Sequence, residues 1–182
     1  IKVLKNIKVS DGNRYISISP SENLSINISI DYPNTIIGKS KFYYVHSKEN
    51  FIRYLSEART YALFEDIEKM RTSGNAMGGN LNNAIVVDKF NILNSGGLRF
   101  EKEFVKHKTL DCIGDFYLLG MHMTGNINCF APGHKLNQRM VVEILKDKEN
   151  YKITEMSQCE PMNNFFNTLT NQKTIHKFTN VA

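Results

Sequence analysis

The sequence predicts an α+β domain: a sheet with helices packed on one of its faces. Three observations predict it. Residues 14–30 alternate strictly, with Ile16 and Ile18, then Leu24, Ile26, Ile28 and Ile30, on one side and Ser or Asn on the other; period two with β-branched residues is the pattern of half-buried strands. Two later stretches, 104–119 and roughly 135–147, space their apolar residues three and four apart, as helices do. The strands and helices follow one another without regular β-α-β alternation, which argues against a doubly wound parallel fold.

The elements follow in order. "SPSEN" supplies the turn between the two alternating strands, and Tyr32-Pro33 closes the second, because proline cannot continue a central ladder. "KFYYVH" is a third strand. Ser47 caps a helix from about Lys48, with Phe51, Ile52 and Leu55 as its apolar face. Thr60 and Tyr61 leave that helix, and a second helical pattern runs from about Glu65 to Arg71, with Ile67 and Met70 inward, until Gly74 stops it. A Gly- and Asn-rich loop follows, then a short strand "AIVV", a turn at Asp88-Lys89, the apolar "FNIL" and a second Gly pair. On spacing alone this is a hairpin inserted into the main fold. After the helix at 104–119 come a strand "GNINCFAP" and the last helix. From residue 150 to 182 the periodicity fades and Asn, Thr and Gln accumulate, which suggests a peripheral tail.

At 182 residues the chain suffices for one domain with a real core. Hydrophobic residues make up 41% and charged residues 23%, an ordinary globular balance. The net charge is +5, but the Lys and Arg residues are scattered and no aromatic residues interleave with a basic patch. A solvated basic surface therefore explains the charge better than a nucleic-acid partner. No apolar run reaches the roughly 18 residues of a transmembrane segment. The cysteines, Cys112, Cys129 and Cys159, are far apart, form no C-x-x-C pair and are odd in number, which fits a reducing compartment. The first residue is Ile1, so a fragment or processed product is expected.

Chemistry concentrates in "EFVKHKTLDCIGD", where His107, Asp111 and Asp115 follow one another at intervals of four. On a helix this spacing stacks them on one face. An imidazole and a carboxylate one turn apart can share a divalent metal, although the same spacing serves an ordinary helix-surface pair. A second candidate is His134 in "APGHKLN", at the entrance to the last helix, with Asp115 as a carboxylate able to orient it for acid–base work. Gly74, Gly78 and Gly79 lack the following Lys-Ser/Thr of a phosphate loop and the G-x-G-x-x-G spacing.

Together, "ARTYALFEDIEKM", "GNAMGGNLNNAIVVDKFNILNSGGLRFEKEFVKHKTLDCIGDFYLLG" and "GHKLN", in this order and spacing, resemble the bacterial UDP-3-O-acyl-N-acetylglucosamine deacetylases, zinc enzymes of lipid A biosynthesis. The similarity covers about residues 4–148. It implies a two-layer sandwich of a mixed or antiparallel sheet with helices on one face. Residues 1–149 would be the second of two similar domains, with a β-α-β insert at about 74–100, and 150–182 a divergent tail.

The resemblance also implies roles. His107 and Asp111 match two zinc ligands, Zn2+ being the cofactor. His134 matches the catalytic acid that protonates the leaving amine, Asp115 its orienting carboxylate, and Thr60 the hydroxyl at the tetrahedral intermediate. Tyr61 stands where the family usually has Phe against the sugar, and Lys108 matches a lysine at the nucleotide diphosphate. Met77, Leu81, Ile85 and Val86 would help form an apolar passage for the acyl chain. The substrate would be UDP-3-O-acyl-N-acetylglucosamine, hydrolysed at its acetamide in the cytoplasm of a Gram-negative bacterium. The partner would be the N-terminal domain of the same enzyme, bringing the third zinc ligand and a Glu general base; without it the isolated chain should be inactive. One departure stands out: the family's Lys-Ser-Gly-His reads Ala131-Pro132-Gly133-His134 here. That loss of a lysine supports an alternative, a non-catalytic or degenerate domain that binds a nucleotide sugar or acyl chain.

Overall fold

The alternating strands become one face of a five-stranded sheet. In the computed structural model, which describes residues 1–74 and 76–155, a short β1 (Lys2–Val3) precedes β2 (Ile7–Asp11), β3 (Arg14–Ser19), β4 (Leu24–Tyr32) and β5 (Gly38–Val45). The fifth member is β9 (Gly125–Phe130), and the spatial order is β2-β3-β9-β4-β5. β9 runs parallel to β4, and every other pairing in this sheet is antiparallel. The turn after β3 therefore reverses the chain without making β3 and β4 neighbours: β9 fills the gap between them.

The period-two pattern sorts the two faces. Ile16, Ile26, Ile28, Ile30 and Ile127 are fully buried on the inner face. The outer face is polar and knitted across strands, with Ser25 Oγ donating to Asn126 Oδ1 and Asn27 Nδ2 donating to Asn128 Oδ1, each at 3.1 Å.

Two helices cover the inner face. α3 (Glu103–Phe116) buries Phe104, Val105, Cys112, Ile113 and Phe116, and continues as a 3-10 turn over Tyr117–Leu119. α4 (His134–Leu145) buries Leu136, Met140, Val141 and Ile144. Burial of a large aliphatic side chain stabilises by about 1.5–3 kcal/mol, so these spacings decide which helix sides face the sheet. This is the α+β, sheet-and-helix architecture that the sequence predicts. Earlier, α1 (Lys48–Tyr54) is capped by Ser47, whose Oγ accepts the Asn50 N–H at 3.1 Å.

A second, smaller sheet flanks the helix layer. β6 (Thr60–Leu63) runs parallel to β7 (Ala84–Asp88), which pairs antiparallel with β8 (Asn91–Ile92). α2 (Phe64–Thr72) links β6 to β7. Parallel neighbours need such a crossover, so the β-α-β unit starts at Thr60, earlier than the 74–100 expected for it. The Gly-rich loop is its return connection, and the expected hairpin survives as β7–β8. α2 has no buried residue, and its apolar side is incompletely covered.

The stretch beginning at 150 opens inside the fold: β10 (Tyr151–Lys152) pairs antiparallel with β1. The remainder of the expected tail, from 156, lies outside the described residues, as does Cys159. Among the described residues no helix is long and apolar enough to cross a membrane.

Candidate active site

α3 carries the line of ionisable groups. Spaced four apart, His107, Asp111 and Asp115 rise along one side of the helix over about 12 Å. The apolar side of α3 faces the sheet, which leaves these three at the edge of the helix layer, with side-chain exposures of 13%, 14% and 15%.

His107 is held from behind. Its Nδ1 lies 3.1 Å from the backbone oxygen of Ala58. A carbonyl only accepts, so Nδ1 carries a proton and Nε2 is left to face Asp111. That Nε2 stands 3.1 Å from Asp111 Oδ1. Two lone-pair atoms this close repel unless a cation, a proton or a metal ion, lies between them. Donors at 2.0–2.2 Å from a tetrahedral zinc ion stand about 3.3 Å apart, so the pair fits two positions of such a site. Among the described residues no group of three or more His, Cys, Asp or Glu side chains is placed to hold a metal. A zinc centre needs at least one protein ligand more than this pair.

The other oxygen of Asp111, Oδ2, accepts from Lys108 Nζ at 3.1 Å. Burial opposes the charge on Asp111, but the hydrogen bond and charge of His107, with those of Lys108, outweigh it and hold the carboxyl below its ordinary value. The structure thus places Lys108 against Asp111 and over the Tyr61 ring, 5.8 Å from its centroid.

His134 begins α4 immediately after an extended Gly133, whose carbonyl accepts the N–H groups of Leu136 and Asn137. Its Nδ1 lies 2.8 Å from Asp115 Oδ2. The ring is 64% exposed, so its far nitrogen is open to an incoming molecule. The same Asp115 oxygen accepts from Asn137 Nδ2 at 2.7 Å. Asn137 is fully buried, and its Oδ1 in turn accepts from Cys112 Sγ at 3.9 Å. The Cys129 thiol and burial push the Cys112 thiol well above its ordinary value, so Cys112 packs uncharged beneath the site. Sequence reasoning assigned Asn137 no role. The available signal was its position three residues after His134 in "GHKLN", on the side of α4 that meets α3.

Thr60, exposed, opens β6, and Tyr61 follows it in register beside Ile85. The Tyr61 ring meets Phe104 and His107 edge-on, at 5.0 and 6.2 Å between centroids. The hydroxyl that distinguishes it from Phe donates to Tyr32 Oη at 3.2 Å. Burial, then Tyr32, push that phenol far above its ordinary range, so it stays neutral. The segment is anchored by Arg59, whose Nε and Nη2 donate to buried Glu103 at 2.8 and 3.0 Å.

The apolar residues of the β-α-β unit divide. Met77 and Leu81 are exposed and Val86 is half-buried. Ile85 is not with them: it is fully buried in the core, because alternation along β7 sends it to the opposite side from Val86. An open passage on the exposed side is therefore not lined by Ile85. Ala131, in the departing "APGH" segment, sits in the left-handed region at φ 45° and donates its N–H to the Ser29 carbonyl.

Two imidazole–carboxylate pairs thus stand at the rim of the helix layer of an α+β domain, beside its β-α-β unit. A family model, UDP-3-O-acyl N-acetylglycosamine deacetylase, matches residues 1–146, and the chain belongs to that family. It is 43% identical over 158 residues to the UDP-3-O-acyl-N-acetylglucosamine deacetylase of Campylobacter fetus, a match covering 87% of this chain and 54% of the relative. The enzymes of the same name from Nitratiruptor sp. and Sulfurimonas denitrificans are 41% and 39% identical, each match covering 86% of this chain and 53% of the relative. The chain thus spans about half the length of the curated relatives it matches.

Proposed function

We propose that this chain supplies half of the active site of a zinc-dependent deacetylase that hydrolyses the acetamide of UDP-3-O-acyl-N-acetylglucosamine, in lipid A biosynthesis. The observation that carries the proposal is the α3 line: His107 with its Nδ1 engaged and its Nε2 on Asp111, then Asp115 on His134.

In this reading His107 and Asp111 hold zinc, which when bound supplies the Lewis acidity that polarises an amide carbonyl. Thr60 offers its hydroxyl to the oxygen that gains charge. His134, held by Asp115 through Nδ1, carries a proton on Nε2 and gives it to the departing amine nitrogen as the C–N bond breaks. Tyr61 and Lys108 take the sugar and diphosphate side of the substrate; Lys108 would exchange Asp111 for the ligand. Met77, Leu81 and Val86 face the acyl chain.

The remaining zinc ligand and the base that activates water are assigned to an N-terminal domain. The half-length coverage of the relatives supports this, as do Leu118 and Val142 on the outer side of the helix layer, 63% and 64% exposed. Such apolar exposure beside a polar site suits a partner surface. Residues 1–149 are read as the second domain, with the divergent tail beyond it, and the complete enzyme as cytoplasmic. The chain alone, with two assigned ligands and no assigned base among the described residues, should turn over no substrate.

The test is a deacetylation assay on UDP-3-O-acyl-N-acetylglucosamine with the complete protein and its His134→Ala variant. Loss of turnover with zinc content kept supports the assignment; full activity of the variant removes His134 from the chemistry.

A further inference from the structure

Glu103 and His107 stand one turn apart on α3, and both bind the same peptide group of the preceding segment. The carbonyl of the Ala58–Arg59 peptide accepts from His107 Nδ1 at 3.1 Å. The N–H of that peptide donates to Glu103 Oε1, also at 3.1 Å. The two ends of a trans peptide point in opposite directions, and residues four apart on a helix are separated by about 6 Å along its axis. The peptide therefore lies along α3, clamped at one end by a carboxylate and at the other by an imidazole.

The carboxylate end is strongly made. Glu103 is fully buried and also accepts from Arg59 Nε, Arg59 Nη2 and the Arg99 N–H, at 2.8, 3.0 and 2.7 Å. Arg59 Nη2 reaches further to the Gly97 carbonyl at 2.9 Å. A forked guanidinium on a carboxylate fixes direction as well as distance.

We propose that Arg59 and Glu103 are positioning residues for His107, acting through the Ala58–Arg59 peptide to hold the imidazole with Nδ1 on the Ala58 carbonyl and Nε2 directed at Asp111. The proposal rests on His107 being a metal ligand only for its consequence in metal binding; the orientation of the ring is a property of the metal-free protein. A partner that fixes the tautomer and orientation of a ligating imidazole typically contributes 10–100-fold in metal affinity. Arg59 also precedes Thr60 directly, so the same clamp sets where that hydroxyl stands.

The experiment is NMR of the His107 ring in the complete, metal-free protein, reading the Nδ1–H held on the Ala58 carbonyl as a slowly exchanging ring proton, with zinc affinity measured in parallel. The parent should show that proton. Glu103→Ala should lose its protection and bind zinc about 10–100-fold more weakly. Glu103→Gln, which restores an oxygen opposite the Arg59 N–H, should recover the protected proton even where overall stability is not recovered. A purely structural role would make the protection follow stability instead. If Glu103→Ala does not fold, Arg59→Lys, which keeps the backbone N–H and a charge but loses the fork, reads the same quantities. A folded Glu103→Ala or Arg59→Lys variant with the parent's ring proton and zinc affinity overturns the proposal. A parent with the protected ring proton but no zinc binding overturns the metal-site reading and leaves the clamp standing.

Discussion

Asp115 and Asn137 meet across the two helices of the inner layer, the amide donating at 2.7 Å to the same carboxylate oxygen that faces His134 Nδ1 at 2.8 Å. One oxygen thus receives a fixed donor from below and the imidazole from the rim. The buried amide limits how far the carboxylate can turn, and the imidazole inherits that direction.

Asn137→Ala should therefore act on two quantities. Removing a donor from a largely buried charged acceptor costs about 1–3 kcal/mol of stability, read from denaturant midpoints. In the complete protein it should also lower kcat more than it raises KM, because Asp115 loses its fixed direction. His134→Ala should be harsher, with kcat down about 100–10,000-fold, the usual contribution of a general acid.

His107→Ala should abolish metal binding, read by metal analysis after gel filtration, whereas Lys108→Ala should retain it. Lys108 shares Asp111 but contributes no lone pair. If Lys108→Ala loses the metal and His107→Ala keeps it, the ligand assignment is reversed.

The acid limb of stability should report Glu103. Burial works against its charge, but the Arg59 side chain, the Arg99 and Arg59 N–H groups and the Arg59 charge outweigh that and hold its carboxyl below its ordinary 4.5. A depressed carboxyl binds fewer protons folded than unfolded, so its contribution is complete above about pH 4.5 and is lost as pH falls through the folded value. Urea midpoints measured from neutral pH into that range should fall for the parent. They should fall less for Glu103→Gln, from a lower starting stability. Equal slopes would mean that other carboxylates set the acid limb.

Gly125 opens β9 where a Cβ would stand 2.9 Å from Ile18 Cδ1 and 3.1 Å from Ile18 Cγ1. Gly125→Ala should force Ile18 out of its position on β3 and cost about 1–3 kcal/mol, as overpacked cores do. The check is the thermal midpoint, with Ile18→Val in the same chain expected to relieve part of the loss.

The faces of the fold were legible in the sequence; its neighbours were less so. Ile16, Ile26, Ile28 and Ile30 declare their face by alternation, and Ser47 declares a helix start by its hydroxyl. Alternation does not say which strand lies beside which, so nothing in "GNINCFAP" places β9 between β3 and β4. The β-α-β unit was misplaced for a related reason. The Gly-rich loop looks like a boundary, yet the parallel partner of β7 lies before α2, at Thr60. Within the site, four-residue spacing was enough to put His107, Asp111 and Asp115 on one side of α3. The Asn137 contact and the Ala58 carbonyl were not visible, since one depends on how two helices cross and the other is a backbone atom. Ile85 and Val86 are adjacent and equally apolar, and only the packing of β7 shows which one the core takes.

Zinc content and deacetylase turnover, measured side by side on the complete protein and its His107→Ala variant, test the central claim most directly. The expected result is stoichiometric zinc and turnover of UDP-3-O-acyl-N-acetylglucosamine in the parent, with both lost in the variant. Undiminished turnover by a zinc-free His107→Ala protein would contradict it.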